Sequence, residues 1–272
     1  MTESAIKVAV SGAGGRMGRT VCEAVASAPD LELVGAVDPG WAGTLVDVAT
    51  GRPVSEPGTG RTVEVVAAME ALESRPDVVV DFTVVDSARA NLDWCATNGV
   101  HAVVGTTGFE GADLDHFASV FTASNCLIAA NFAIGAVLMM RFAEMAAPWF
   151  DSAEIIELHH DAKVDAPSGT ALATAERMAA ASTEWTPDPT ANEKLPGARG
   201  GEGPAGIHIH SVRLRGLVAH QEVMLGTVGQ TLTIRHDSYD RTSFMPGVLL
   251  GCRRIADHPG LTVGLDSFLE IR

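Results

Sequence analysis

Lysine is nearly missing from this chain. Of 272 residues only three are Lys, at positions 7, 163 and 194, and acids outnumber bases 34 to 19, a net charge of −15. That balance excludes nonspecific nucleic-acid binding, where a cationic footprint supplies most of the affinity. It leaves room for an anionic substrate wherever the few cations gather locally. Tyrosine occurs once and aromatics make up 5%, so the cores are expected to be aliphatic. The four cysteines, Cys22, Cys95, Cys126 and Cys252, show no CxxC or knuckle spacing. This argues against a metal ribbon or redox pair and for small buried thiols in a reduced cytoplasm. No stretch of about 18 residues is both apolar and uncharged, so no membrane span is expected. The first residues carry neither a basic region nor an apolar run, and are read as a cytoplasmic start.

The length suits two modest domains. Ile6–Ser11 reads as a strand, followed at once by Gly12-Ala13-Gly14-Gly15-Arg16-Met17-Gly18. Arg19–Ser27 reads as a helix, Leu31–Val37 as the next strand, and Asp38 stands at its end. Strand, glycine turn, helix, strand, acid is a dinucleotide fingerprint in its proper context. The glycines supply a tight turn, close approach to a pyrophosphate and free N–H groups at a helix start, and Arg16 adds a cation. Asp38 is expected to accept the adenosine ribose hydroxyls and repel a 2′-phosphate, so NADH is the expected cofactor and NADPH the alternative.

The alternation continues through a strand at Thr62–Ala67, a short helix at Met69–Ser74 and an almost wholly apolar strand at Val78–Phe82, as a buried parallel sheet requires. Then come a helix at Ser87–Asn98, a strand at His101–Val104, a helix at Leu114–Ser119 and a strand at Phe121–Ile128. Loops 12–18, 38–43, 82–86, 105–109 and 129–133 follow strands and are the expected ligand contacts. They add Thr83, Thr106, Ala129, Ala130, Asn131 and Phe132 to the cofactor candidates. Phe82 either covers the nicotinamide end or belongs to the core.

After Asn131 the pattern changes. Ile134–Phe150 reads as a long helix, Ala153–His159 as a strand and Thr170–Ala181 as a helix. Residues 183–206 are loose, and strands follow at Ile207–Leu214, Glu222–Gly226 and Gln230–His236, which suggests a mixed or antiparallel sheet. One helix and one such sheet leave a face uncovered, so self-association through the sheet is expected. Asp240–Ala256 returns to helix and Leu261–Ile271 to a strand-like stretch. The expected class is α/β: a Rossmann-like parallel-sheet domain over 1–131 and 241–272, and an α+β domain with an open mixed sheet over 132–240.

The densest chemistry lies in His159-His160-Asp161-Ala162-Lys163-Val164-Asp165-Ala166-Pro167-Ser168-Gly169-Thr170. Ile155, Glu157 and His159 share one face of a strand, and His160 points oppositely while the strand stays regular. Both imidazoles reach one pocket only if the chain turns there, as Asp161 and Pro167 favour. His159 can donate a proton near neutral pH, and Lys163 can hold a carboxylate. Ser168 is a candidate N-cap, with Gly169 and Thr170 presenting N–H groups and a hydroxyl to an anion. A substrate with two carboxylates matches two such anchors. The bland alternatives are structural histidines, a solvated lysine and a plain helix cap. His208, His210, His220 and His236 show no ligand spacing, so no metal is assigned.

Together these motifs resemble the 4-hydroxy-tetrahydrodipicolinate (dihydrodipicolinate) reductases. Glu154–His160 is similar to that family's E-x-x-E-x-H-H and Lys163–Ala171 to its K-x-D-A-P-S-G-T-A. SGAGGRMG at 11–18, DFT at 81–83, GTTG at 105–108 and the element from Arg241 to Phe244 also match, and 207–253 is most like the actinobacterial branch. The resemblance implies NAD(P)H-dependent reduction of 4-hydroxy-tetrahydrodipicolinate to tetrahydrodipicolinate, with loss of water, in diaminopimelate and lysine biosynthesis. It implies a homotetramer built through the second domain's sheet, and a Rossmann domain completed by the C-terminal segment that includes Arg241 and Phe244. In that reading His159 donates the proton that follows hydride transfer. Lys163 and His160 hold or polarise the cyclic dicarboxylate, and Gly169 with Thr170 grips a carboxylate. The glycine turn, Asp38, Gly105, Thr107 and the 129–132 loop contact the cofactor. Three positions depart from the family: Ala162 stands for a histidine, Asp161 for arginine or proline, and Ala130 for a proline. They remove a base, add a negative charge and loosen a loop. Two other classes share part of this pattern. An aspartate- or homoserine-dehydrogenase-like enzyme would share the first domain but lacks the second signature. A nucleotide-sensing module would tolerate loss of His159 and Lys163.

Overall fold

In the computed structural model, which describes residues 4–56 and 60–270, the chain divides into two compact units. One is Met1–Phe132 with Phe244–Arg272, the other Ala133–Ser243. In chain order the elements begin β1 (Ile6–Ser11), α1 (Arg16–Ser27), β2 (Leu31–Val37), β3 (Leu45–Asp47), β4 (Pro53–Val54) and β5 (Thr62–Val66). Next are β6 (Val78–Asp81), α2 (Val85–Asn98), β7 (His101–Val104), α3 (Gly111–Val120), β8 (Cys126–Ile128) and α4 (Ile134–Ala146). They continue with β9 (Ser152–His159), α5 (Gly169–Ala181), β10 (Gly201–Glu202), β11 (His208–Arg213), β12 (Ala219–Thr227) and β13 (Gln230–Ser238). The last are α6 (Met245–Arg254) and β14 (Leu261–Val263).

The first unit's sheet has the order β14-β8-β7-β6-β1-β2-β5-β3-β4. From β14 to β5 every pairing is parallel, and only β3 pairs antiparallel with its neighbours. Successive side chains of a strand point to opposite faces, so Val78, Val79 and Val80, all nearly inaccessible, must be covered on both. Ala9, Val79, Ala102 and Val104 pack with Leu92 and Cys95 of α2 and Phe117 of α3. On the other face α6 comes close enough that a Cβ on Gly251 would lie 3.1 Å from Val103 and Leu127. Register then sets the site. Val37, Ser11, Asp81, Val104 and Ile128 are paired neighbour to neighbour across five strands. The C-terminal ends of those strands are therefore level, and the loops after them share one sheet edge. The order reverses at β1, between β2 and β6, which is the switch point where open α/β sheets take ligands.

The second unit's sheet has the order β10-β11-β9-β12-β13. β9 runs parallel to β11 and antiparallel to β12. Two helices, α4 and α5, pack on one face rather than the single helix expected, and that face carries the fully buried Ile155, Val223 and Leu225. Glu157 shares it. The opposite face holds Ile156, Leu158, Val212 and Met224, all half-buried.

Several boundaries differ from the sequence reading for local reasons. The helix at Ile134 ends at Ala146, not Phe150, because Pro148 has no N–H to donate, and Ala147–Trp149 tightens to a 3₁₀ turn. α3 starts at Gly111 because Glu110 and Asp113 form a capping box, and the strand expected over 121–128 shrinks to Cys126–Ile128. Met69–Ala71 is one 3₁₀ turn instead of a helix to Ser74. Residues 241–244 are 3₁₀, and α6 begins only at Met245 with Pro246 in its first turn. The strands β3 and β4 have no counterpart in the sequence reading. Ile271, read as the end of the last strand, and Met1–Glu3 at the start lie outside the described residues.

Candidate active site

The glycine turn is shaped by what surrounds it. Gly12 has φ +78°, and a Cβ there would come 2.6 Å from the Phe82 carbonyl oxygen. A side chain on Gly18 would collide with the Gly12 carbonyl, and one on Gly14 with the indole of Trp41. Gly15 caps α1 with no side-chain hydrogen bond, so the first N–H groups of α1 remain for an anion. Ala13 and Gly14 are buried, Arg16 is exposed and Met17 half-buried. The turn borders a cavity of about 550 Å³ that Asp38, Phe82 and Thr83 also line.

Asp38 accepts N–H groups from Gly14 at 3.0 Å and Gly40 at 2.9 Å, one on each oxygen. A carboxylate has about four acceptor positions, so each oxygen can still take a ribose hydroxyl. The structure adds one cation near this loop: the Arg19 guanidinium lies 5.3 Å from the Trp41 ring centroid. These groups fit a dinucleotide, with pyrophosphate on the glycine turn and ribose on Asp38.

Asp81 organises the neighbouring loops. Fully buried, it accepts hydrogen bonds from the Thr83 N–H and hydroxyl at 3.1 and 2.8 Å, the Thr106 hydroxyl at 2.8 Å and the Asn91 amide at 2.8 Å. The Thr83 N–H also reaches the Thr106 hydroxyl at 2.9 Å. Phe82 rests against Gly105, with its ring centroid 6.0 Å from that of Phe132. It is thus partly core and partly cavity wall. Thr107 and Ala130 are exposed, Asn131 half-buried and Ala129 buried. Phe244 opens the segment that returns to this unit, whereas Arg241 is exposed and belongs to the second unit.

In the second unit β9 ends at His159, and the chain turns with the Lys163 N–H on the His160 carbonyl at 3.2 Å. The centre of this site is Glu157, which is wholly inaccessible to solvent. Its oxygens accept Arg213 twice, both at 2.8 Å, the His159 Nδ1 at 2.5 Å and the Ser168 N–H at 3.2 Å. Burial pushes the Glu157 carboxyl up, but hydrogen bonds from Arg213, Ser211 and His159 outweigh it and leave it below the ordinary value. Burial holds His159 below the ordinary histidine value, against the pull of Glu157, and Lys163 and Arg213 push the same way as burial. With Nδ1 on Glu157, Nε2 is the ring nitrogen that this bond does not engage.

Lys163 is held by both oxygens of Asp165, at 2.7 and 2.8 Å. Ser168 is the N-cap of α5 and its Oγ accepts the Ala171 N–H at 3.2 Å. That hydroxyl is buried, while Gly169 is exposed and Thr170 half-buried. His160 is exposed, its N–H 3.4 Å from the Val218 carbonyl. His159 and the α5 start thus meet on Glu157 in one unit, and the Lys163 charge acts on His159 beside them. The sequence alone places Glu157 on the His159 face without a role and does not single out Arg213. A carboxylate two residues before a histidine on a strand was the available signal for the first. Arg213 comes from another strand, paired with His159 by register, and carries no local signal.

The family described as Dihydrodipicolinate reductase, N-terminus, matches residues 6–132, and Dihydrodipicolinate reductase, C-terminus, matches 135–269. The chain belongs to the dihydrodipicolinate reductase family. It is 52% identical to the 4-hydroxy-tetrahydrodipicolinate reductase of Nocardia farcinica, over 98% of this chain and 99% of that protein. The protein of the same name from Cutibacterium acnes is 50% identical, again over 98% and 99%. Among solved structures, the dipicolinate-bound dihydrodipicolinate reductase from Paenisporosarcina sp. TG-14 superposes with a TM-score of 0.84 at 39% identity, covering 97% of this chain and 99% of that one. Two of the departures from the dihydrodipicolinate reductase pattern can be placed. The Asp161 carboxylate accepts Arg215 Nε at 2.9 Å, so an arginine offsets its charge. Ala162 is exposed. The four cysteines of this family member are buried, and burial raises the thiols of Cys22 and Cys252 to about 12. Among the described residues no group of three or more His, Cys, Asp or Glu could hold a metal, and no helix is long and apolar enough to cross a membrane.

Proposed function

We propose that this chain catalyses NAD(P)H-dependent reduction of 4-hydroxy-tetrahydrodipicolinate to tetrahydrodipicolinate, with loss of water, in the diaminopimelate and lysine route. The observation that carries the reading is the meeting of His159 and the α5 start on one buried carboxylate, with the Lys163 charge close enough to act on His159. The full-length similarity to reductases of that name supports it, and so does a relative with dipicolinate bound. When bound, the reduced nicotinamide supplies a hydride. The glycine turn, Arg16, Asp38, Phe82, Thr83, the 105–107 loop, the 129–132 loop, Arg241 and Phe244 are the residues that hold and orient it. His159 donates a proton through Nε2 to the electron-rich ring that hydride addition leaves. Lys163 exchanges Asp165 for a substrate carboxylate and steadies the growing negative charge. Gly169 and Thr170 grip the second carboxylate at the helix start, where the N–H groups and the helix dipole favour an anion. His160 lends a further contact, and Ser168 acts through the cap.

NADH is preferred, because Asp38 accepts ribose hydroxyls and repels a 2′-phosphate. Arg19 beside Trp41 gives NADPH a counter-charge. The enzyme works in the cytoplasm as a homotetramer joined through the open face of the second sheet. Its half-buried Ile156, Leu158, Val212 and Met224 supply apolar area for such an interface. The test is to incubate the purified chain with freshly generated 4-hydroxy-tetrahydrodipicolinate and either cofactor. Cofactor oxidation that requires the dicarboxylate is the expected result. Oxidation independent of it, or none, overturns the reading.

A further inference from the structure

We infer that Glu157 is a positioning residue that sets the proton donor and the carboxylate-gripping turn with a single buried side chain. Its two oxygens divide the work. Oε2 takes the His159 Nδ1 at 2.5 Å, and Oε1 takes the Ser168 N–H at 3.2 Å. Arg213 spans both oxygens at 2.8 Å and donates again to the Asp165 carbonyl at 2.6 Å. Asp165 in turn holds Lys163. One carboxylate therefore touches the base of the imidazole, the cap of α5 and, through Arg213, the backbone beside Lys163.

Three consequences follow from the chemistry. A carboxylate on Nδ1 keeps a proton on that nitrogen, leaves Nε2 as the one that gains and gives a proton, and fixes the ring plane. A carboxylate on the Ser168 N–H satisfies a buried donor at the helix start and fixes the turn that leads into Gly169 and Thr170. Arg213 compensates the buried charge in a planar, two-bond fork, the geometry in which such pairs are strongest. The charged groups around His159 are Glu157, Lys163 and Arg213, and Glu157 alone favours the protonated ring.

The inference rests on His159 as the proton donor, and the test separates the two. Glu157→Gln is made in the wild type and in His159→Gln. In the wild type it is expected to lower kcat and raise KM for the dicarboxylate, each by roughly 10–100-fold, the range for losing a carboxylate that orients a functional histidine. The Kd for NADH is unchanged. In His159→Gln the kcat effect disappears and the KM effect remains, because only the imidazole half of the role has been removed. The alkaline limb of the kcat/KM profile, where His159 loses its proton, moves to lower pH in Glu157→Gln, because the carboxylate that favours the protonated ring is gone. If the lone charge on Arg213 prevents folding, Glu157→Gln with Arg213→Met removes both charges together, and the same split is expected. Wild-type kcat and KM in the folded variant overturn the inference, as does a kcat loss that persists at full size in His159→Gln. Full turnover by His159→Gln would instead remove the proton donor itself.

Discussion

The helix start at Gly15 and the helix start at Ser168 are built differently. At Gly15 no side chain caps α1 and its donors are left open. At Ser168 the Oγ takes the Ala171 N–H, and Glu157 takes the Ser168 N–H. The first site offers many backbone donors and few charges. The second has committed part of its donors to its own rigidity, and makes up the difference with Lys163 and an oriented imidazole. Backbone donors suit a pyrophosphate, whose oxygens are many and alike. Side-chain charges suit a reaction in which electron density changes at one place, and where fixed groups act without reorganising.

The sharpest way to break this comparison is His159→Gln. It should lower kcat by about 10²–10⁴, the range for a positioned general acid, while the NADH Kd measured by fluorescence stays as in the wild type. The pH profile carries the same claim. A proton donor must be protonated, so kcat/KM should fall as pH rises through the free-enzyme value of His159, which burial holds below the ordinary 6.5. Two bound carboxylates favour the imidazolium, so the corresponding limb of kcat should lie at higher pH. Identical limbs would separate His159 from the substrate.

Lys163→Ala should come next, with KM for the dicarboxylate raised and kcat lowered by roughly 10–100-fold, the scale of a lost charge-assisted hydrogen bond. An effect on NADH binding instead would place the ammonium at the other helix start. Asp38→Asn acts only at the first site. It should shift the ratio of NADPH to NADH efficiency upward by roughly tenfold, again about one charge-assisted hydrogen bond, with KM for the dicarboxylate unchanged. Ser168→Ala is the mildest. Loss of the cap should cost about 1 kcal/mol in denaturant unfolding and raise KM a few-fold. The equivalent experiment at Gly15 has no hydroxyl to remove.

Legibility in the sequence followed the range of the interactions. The strand at Leu31–Val37, the glycine turn and the acid after it are local. The boundaries of that strand came out as expected because turn signals flank an apolar run on both sides. The signature 159–170 is local too, and so is Ser168 as a cap. Arg213 is not, because it meets Glu157 across 56 residues of chain. Only the pairing of β11 with β9 places it there. Trp41 against Gly14 is a contact of the same kind: tertiary packing, not periodicity, puts an indole on a glycine. The helix that stopped short at Pro148 was written in the sequence as a proline inside an apolar run, and the apolar pattern outweighed it in the reading.

The indole over the glycine turn has a practical consequence. Trp94 lines the first cavity and Trp41 lies against Gly14 of the turn beside it, whereas Trp149 and Trp185 belong to the other unit. Reduced nicotinamide absorbs in the range where tryptophan emits. The chain therefore carries its own optical gauge, with one pair of fluorophores beside the glycine turn and another built into the unit that holds His159 and Lys163, and neither needs a dye.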